Sequence, residues 1–229
     1  MTGVLRQRDV RFEPAFDAPI PHPNGLQASG EGLWIADERQ GWAYLVNFHD
    51  GQVIRSFATG AGLSSGITYG GGALWMCSNG LPIERDACPS DTKHVRIVKS
   101  DPNNGHSLAE VLMPDDDDCH GIEWTAEGLW LTSVDRQKLV LVDRNDFTVI
   151  REVPLPSNRA HGIATEGLGI WCVHTNDRMV IKLDPYEGTL YERIDVPAKE
   201  FEPHGLTCWE GILWSCDAVT GTVYRIVRG

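Results

Sequence analysis

The stretch His161-Gly-Ile-Ala-Thr-Glu-Gly-Leu-Gly-Ile-Trp171 decides the fold, because four other stretches of the chain share its plan. Each opens with a polar residue, a glycine and an isoleucine or leucine, and each ends in a tryptophan preceded by leucine or isoleucine. A unit that recurs at this length is typical of a β-propeller, in which every copy builds one blade. The copies begin at Asn24, Ser65, His120, His161 and His204.

The spacing of the copies predicts the number of blades. Their glycines stand at positions 25, 66, 121, 162 and 205, which gives intervals of 41, 55, 41 and 43 residues. Intervals of this size fit one four-stranded blade each, and the longest places an insertion, Gly80–Thr92, in the second blade. The last copy has room for three strands, and Asp9–Ala18 supplies one strand ahead of the first copy.

The chain is therefore expected to be all-β, with residues 1–229 forming a single domain. We predict a five-bladed β-propeller whose ring is closed by the N-terminal strand completing the last blade, because such closure leaves no exposed seam between blades. The repeated tryptophans are expected to lie between neighbouring blades. Burial of each indole contributes at most about 5 kcal/mol. They are Trp34, Trp75, Trp130, Trp171 and Trp214.

Charge and composition narrow the range of partners. The formal net charge of -12 argues against nucleic acids and anionic membranes, whose binding depends on lysine and arginine. The N-terminal residues lack the apolar run of a secretory signal, so we expect a cytoplasmic protein. The loop expected above the axis favours a small-molecule substrate. The oligomeric state stays open. Cys77, Cys172 and Cys216 are expected to be buried thiols, and a bridge between Cys88 and Cys119 is left open.

The three histidines that begin copies are the candidate metal ligands. Equivalent positions of a closed ring meet around one axis, so His120, His161 and His204 are expected to point at a shared site. Three imidazoles suit a divalent ion such as Zn²⁺, Fe²⁺, Mn²⁺, Ni²⁺ or Cu²⁺ and leave coordination positions free. The alternative is structural, with each imidazole bonded to a neighbouring carbonyl group.

Other polar residues complete the predicted site. Asn24 and Ser65 fill the remaining two positions of the ring, where they are expected to contact substrate. His174 is the candidate proton carrier, or a fourth ligand. Carboxylates are expected to orient the metal-bound imidazoles by hydrogen bonds. The candidates for that role are Asp37, Glu123, Asp135 and Asp217.

Two loops are expected on the same face as the histidines. The insertion Gly80–Thr92 is expected to form a lid over a small-molecule site. The acidic run Asp115–Asp118 immediately precedes Cys119 and His120. It either attracts a cation toward the axis or is simply a solvated loop.

The units His161–Trp171 and Pro203-His-Gly-Leu-Thr-Cys-Trp-Glu-Gly-Ile-Leu-Trp214 resemble repeats of the streptogramin B lyase group of propellers. More loosely, they are similar to gluconolactonase and NHL-repeat propellers. The resemblance spans nearly the whole chain but rests on blade-forming residues, so it implies the fold more strongly than the reaction. It implies lactone opening by metal-assisted elimination, although those lyases have seven blades. Gluconolactonases hold their cation mainly with carboxylate and amide oxygens, which an axial histidine trio does not match.

In ligand type, the histidine trio is similar to the sites of propeller lyases of acidic sugars and of carotenoid-type oxygenases. The leading expectation is a metal-dependent enzyme that cleaves a small oxygenated substrate by elimination or lactone-type cleavage. One alternative is a non-haem iron oxygenase that uses the same site. The other is a propeller that binds a ligand or peptide without catalysis.

Overall fold

The computed structural model describes residues 9–87, 93–113 and 116–229, which fold into five antiparallel sheets of four strands. Each sheet is one blade, and the first strand of each blade lies at the axis. The blades are numbered along the chain.

Blade one has β2 (Pro23–Ser29), β3 (Gly32–Asp37), β4 (Trp42–Val46) and β5 (Val53–Ala58). Blade two has β6 (Ile67–Gly70), β7 (Ala73–Ser78), β8 (Arg96–Ser100) and β9 (Ser107–Leu112). Blade three has β10 (Ile122–Trp124), β11 (Leu129–Ser133), β12 (Lys138–Val142) and β13 (Val149–Pro154). Blade four has β14 (Ala160–Glu166), β15 (Gly169–His174), β16 (Met179–Leu183) and β17 (Leu190–Asp195). Blade five has β18 (Leu206–Trp209), β19 (Ile212–Cys216), β20 (Thr222–Arg228) and β1 (Val10–Asp17).

The ring closes as the sequence predicts. Strand β1 pairs antiparallel with β20, so that Val10 lies opposite Arg228 and Asp17 lies opposite Thr222. The N-terminal strand is thus the outermost strand of the last blade. This confirms an all-β, five-bladed propeller in which both ends of the described chain share one blade.

The hydrophobic cores lie between blades. Among the described residues, five clusters of buried side chains each join one blade to the next, and each contains one repeated tryptophan. These tryptophans are at most 7% exposed. Trp34, for example, packs on Ile67 and Leu74 of blade two, and its ring stacks on Tyr69 at 6.4 Å. Since the indoles are buried against neighbouring blades, much of the stability comes from ring closure.

The repeated glycines allow the inner strands to approach closely. A Cβ atom on Gly162 would lie 2.2 Å from the backbone nitrogen of Leu206, and one on Gly121 would lie 2.2 Å from the carbonyl oxygen of His161. Only a void of about 10 Å³ remains between the inner strands at this level. Such a void is about the size of one water molecule or smaller. The glycines therefore seal the axis immediately below the first residue of each copy.

Two smaller sequence expectations concern the insertion and the Cys88–Cys119 bridge. The described part of the insertion, 80–87, packs on blade one, where Ile83 N donates to Arg39 O at 3.1 Å. Cys88–Thr92 lie outside the described residues, so the Cys88–Cys119 bridge is not addressed. Cys119 is a buried free thiol whose sulfur lies 3.1 Å from that of Cys77. No helix in the described ranges is long and apolar enough to cross a membrane.

Candidate functional site

A cavity of about 550 Å³ opens on the face where the inner strands begin. Its floor is formed by the first residue of each of the five copies, which we call the ring positions. The walls come from the loops that lead into the inner strands and from the loops that follow the second strands. The ring positions are Asn24, Ser65, His120, His161 and His204, and the wall residues include Glu38, Arg39, Asn79, Asp118, Arg159 and Glu202.

The imidazole of His161 contacts those of both His120 and His204. Nδ1 of His120 lies 3.1 Å from Nε2 of His161, and their ring centroids are 4.4 Å apart. The His161 and His204 centroids are 4.8 Å apart, with the rings nearly perpendicular at 83°. The ring positions of three consecutive blades thus bring their side chains to one point of the cavity floor.

Burial favours the neutral form of His120 and His161. It lowers the pKa of His120 to about 4, and the positive charges of Arg159 and of a protonated His204 act in the same direction. Burial also lowers the pKa of His161 well below its usual value, with His120, His204 and Arg159 adding to the effect. Neutral imidazole is the form that can donate a nitrogen lone pair to a metal ion.

Each histidine has a different hydrogen-bonding state. His204 Nδ1 lies 3.1 Å from the carbonyl oxygen of Glu202, so a proton on Nδ1 leaves the lone pair on Nε2. His161 Nδ1 is buried and has no hydrogen-bond partner among the described residues. An unpaired buried nitrogen is costly unless a ligand or solvent reaches it.

The donor atoms are partly arranged for an ion. Two nitrogens that share a tetrahedral ion at about 2.05 Å each stand about 3.3 Å apart, close to the His120–His161 spacing. Within the described ranges, however, no group of three or more histidine, cysteine, aspartate or glutamate side chains is arranged to hold a metal ion as it stands. The physical reason is that His120 and His161 direct their facing nitrogens at each other.

The two remaining ring positions have neutral polar side chains. Ser65 Oγ donates to the carbonyl oxygen of Cys119 at 3.1 Å, and Asn79 Nδ2 donates to the same oxygen at 3.0 Å. Cys119 N in turn donates to Asn79 Oδ1 at 3.0 Å. These bonds hold the peptide immediately before His120. Asn24 is buried, and its Oδ1 has no partner among the described residues.

His174, Asp37 and Asp217 occupy one equivalent position, three residues after the repeated tryptophan. Asp37 Oδ1 accepts from the backbone nitrogens of Arg39 and Gln40, which closes the turn after β3. His174 is buried, its Nδ1 lies 3.3 Å from the carbonyl oxygen of Asn158, and it does not line the cavity. This position therefore fixes loops in these blades, and His174 is held away from the cavity floor.

The expected carboxylate partners of the imidazoles have other contacts. Glu123 Oε1 accepts from the backbone nitrogen and hydroxyl of Thr165, and burial raises the pKa of Glu123 to about 7. Asp135 is exposed and lines only a side cavity of about 370 Å³. Asp217 Oδ2 accepts from Glu202 N, so it acts on the residue whose carbonyl faces His204. None of the four candidate carboxylates hydrogen-bonds to a histidine among the described residues.

The described parts of the two loops have only limited contact with the cavity. The described part of the insertion does not line the cavity, and its Glu84 forms an ion pair with Arg39 at 2.9 Å. In the acidic run, Asp116 binds His94 at 2.8 Å and Asp117 binds Ser133. Of the described members of the run, only Asp118 reaches the cavity.

Comparison with solved structures places the fold among known propellers. No protein-family model and no curated protein sequence matches the chain. Glutaminyl cyclase from Myxococcus xanthus is similar with a TM-score of 0.74 and 13% identity, over 95% of this chain and 94% of the other. A catalytically inactive virginiamycin B lyase from Staphylococcus aureus, solved with quinupristin, is similar with a TM-score of 0.57 and 18% identity, over 91% and 67%.

The second comparison confirms the resemblance to streptogramin B lyases at the level of fold, because virginiamycin B lyase is one of them. At these identities the likeness shows the fold alone. A propeller shared with a lyase and a cyclase is compatible with an enzyme.

Sequence reasoning missed several residues of the cavity wall. Arg159 and Glu202 stand two residues before a ring-position histidine, and Asp118 stands two residues before the third. That common offset was a usable signal, because the residue two before a ring position lies in the loop that leads to the axis. Asn79 had no comparable signal, since its contact with Cys119 crosses from one blade to the next.

Proposed function

We propose that the chain is a metal-dependent enzyme in which His120, His161 and His204 hold a divalent ion at the cavity floor. Its reaction is the elimination or lactone-type cleavage of a small oxygenated substrate. One observation carries the proposal, namely that imidazoles from three consecutive blades meet at this floor. Nδ1 of His120 and Nε2 of His161 are 3.1 Å apart. Binding requires the rings to turn, so that the His120–His161 contact is replaced by bonds to the ion.

The surroundings of the imidazoles support this role. The three side chains are the only histidines at ring positions. Nδ1 of His161 has no hydrogen-bond partner in the described part of the chain, which leaves it available to a ligand. The glycines below the floor close the axis, so an ion here has its free coordination positions on the cavity side. A bound divalent ion would polarise a substrate oxygen and make a neighbouring proton easier to remove.

The protein's own side chains supply the remaining chemistry. Asn24 and Ser65 present neutral polar groups beside the imidazoles, which suits orientation of an oxygenated substrate. Glu38, Asp118 and Glu202 line the cavity and are the carboxylates placed to accept a proton. They are better placed for this than His174, whose side chain lies outside the cavity.

Elemental analysis of protein expressed with abundant zinc, iron and manganese tests the proposal. We expect about one ion per chain, and at least a tenfold lower content in His161→Ala. The matched control is His106→Ala, because His106 is an exposed histidine in a turn. Wild-type metal content at background level contradicts the proposal. Iron together with substrate-dependent oxygen uptake would support the oxygenase alternative.

The similarity to glutaminyl cyclase favours a second candidate, because it covers nearly the full length of both chains. In that reaction the free amine of an N-terminal glutamine attacks the side-chain amide carbon, a ring closes and ammonia leaves. The cavity carboxylates would face the N-terminal amine. Ammonia release from a peptide that begins with glutamine, compared with one that begins with asparagine, is the measurement. Release from neither peptide removes this candidate.

A further inference from the structure

Arg159 stands in an unusual backbone conformation at the edge of the cavity. It precedes the first residue of β14 and lies two residues before His161, with a φ of 50°. Residues other than glycine rarely adopt this left-handed conformation. Such backbone strain persists where the surrounding structure imposes it, and it is often found at ligand-binding sites. In this blade the unusual turn places a guanidinium beside the imidazoles.

The Arg159 side chain is shared by two cavities. It lines the main cavity of about 550 Å³ and the side cavity of about 370 Å³, together with Asp118 and His120. Its charge is close enough to both His120 and His161 to lower their pKa values, although burial is the larger cause for each. Arg159 therefore places a positive charge beside the cavity floor.

Among the described residues, Arg159 has no anionic partner. Its one hydrogen bond among the described residues runs from Nη1 to the amide oxygen of Asn176 at 3.3 Å, and no carboxylate there lies within ion-pair distance. The other arginine of the cavity, Arg39, differs because it pairs with Glu84 at 2.9 Å. A guanidinium has five N–H donors in a planar fork, so most of the donors of Arg159 remain available.

Building on the proposed function, we infer that Arg159 binds a substrate carboxylate and that the substrates are hydroxylated carboxylic acids. Arginine forms paired, parallel hydrogen bonds with a carboxylate, which fix orientation as well as charge. A carboxylate bound there lies next to His120 and His161, so the adjoining carbon and its hydroxyl group face the imidazoles.

The carboxylates of the cavity narrow this class further. Glu38, Asp118 and Glu202 repel a second negative charge but accept hydrogen bonds from hydroxyl groups. A compound with one carboxylate near Arg159 and hydroxyl groups toward the remaining walls therefore matches the charges. Elimination also suits such a compound, because the carboxylate acidifies the adjoining C–H bond and a hydroxyl group can leave as water, taking up the proton that is removed.

Calorimetric titration with D-gluconate, which has one carboxylate and several hydroxyl groups, and with its uncharged amide, D-gluconamide, tests the inference on metal-loaded protein. We expect gluconate to bind at least tenfold more tightly than gluconamide. Arg159→Gln should weaken gluconate binding at least tenfold and remove the preference, and Arg159→Lys should keep part of it. Arg193→Gln is the matched control, because Arg193 is an arginine on the outer strand β17 that pairs with Asp195. Metal content and melting temperature are measured on every sample.

The outcomes separate this inference from the proposed function. Equal binding of gluconate and gluconamide, no gluconate binding, or unchanged gluconate binding in Arg159→Gln each overturns the role of Arg159, whatever the metal content. Background metal content with Arg159-dependent gluconate binding overturns the metal site and leaves the carboxylate site standing. Metal binding that survives Arg159→Gln while gluconate binding is lost supports both.

Discussion

Blades three to five differ from blades one and two in the residue at the ring position. In the first group, the ring positions are histidines whose rings contact one another. In the second group they are Ser65, which binds the peptide before His120, and Asn24, which is buried. Each blade has four antiparallel strands with its first strand at the axis, so this difference lies in the side chains at the ring positions. One part of the ring thus concentrates the chemical groups, and the other part supports them.

The largest expected effect concerns how tightly each part of the ring is packed. Gly162→Ala, on the histidine side, would place a Cβ atom 2.2 Å from Leu206 N, whereas Gly25→Ala would place it 2.8 Å from Ile67 N. We expect losses in unfolding free energy of about 3 kcal/mol or more for Gly162→Ala and about 1 to 2 kcal/mol for Gly25→Ala. Chemical denaturation measures both.

Gly30→Ala is the control for these substitutions, since a Cβ atom there meets nothing within 4 Å. It should change the unfolding free energy by less than about 0.5 kcal/mol. Equal losses for Gly162→Ala and Gly25→Ala would mean that the two parts of the ring are packed alike.

The second prediction compares the ring positions as ligands. His161→Ala should weaken zinc binding about 100-fold, because it removes one of three ligands. Asn24→Ala should change it less than about threefold, because an amide oxygen binds zinc weakly beside imidazoles. Competition with a chromogenic chelator gives both affinities. A similar loss of zinc affinity in His161→Ala and Asn24→Ala would contradict the assignment of metal binding to the histidine positions of the ring.

The third prediction uses the pH dependence of stability. The position three residues after the ring position is neutral in blades one and two, with Gln27 and Thr68, but is Glu123 in blade three. Burial raises the pKa of Glu123 from 4.5 to about 7, so the folded state favours the protonated form. The contribution of protonated Glu123 to the free energy of unfolding is complete below about pH 4.5 and is lost as pH rises through about 7. The total loss is about 3 kcal/mol.

Glu123→Gln should remove this dependence, because an amide oxygen can still accept the two bonds from Thr165. Urea denaturation at pH 5 and pH 8 should show a smaller difference for Glu123→Gln than for wild type. If both proteins lose the same free energy between these pH values, Glu123 is ionised in the folded state.

The smallest expected effect concerns the link between the two parts of the ring. Asn79→Ala removes both hydrogen bonds to the peptide of Cys119 and should cost about 1 to 2 kcal/mol of unfolding free energy. Zinc affinity should fall less than tenfold, because His120 is then held less firmly. The exposed Asn145→Ala is the control in both measurements. A loss of zinc affinity as large as that of His161→Ala would mean that Asn79 does more than position the peptide before His120.

Much of the fold could be predicted from the sequence because the repeat specifies the number of blades and the equivalent positions within them. The five tryptophans and the X-Gly-Ile or X-Gly-Leu starts recur at one position per blade, and ring closure follows from one strand missing at one end and one extra at the other. The meeting of the three histidines follows in the same way, since equivalent positions of a ring share an axis. These features depend on backbone register, which repeat spacing specifies.

The finer features depend on quantities that repeat spacing does not specify. Asp37, His174 and Asp217 differ in type, so their equivalence three residues after the tryptophan is easily overlooked. The nitrogens that His120 and His161 direct at each other depend on side-chain rotation. The position of Arg159 depends on one left-handed backbone angle. Sequence patterns therefore predicted which residues meet more reliably than what each of them does.

The glycines that seal the axis also determine how molecules travel through the protein. Since only a void of about 10 Å³ lies between the described inner strands, the opposite face of the ring offers no route to the histidines. Under the proposed function, substrate would enter and product would leave on the cavity face alone. Product that stays bound there would compete with incoming substrate, so competitive product inhibition is expected of that reaction.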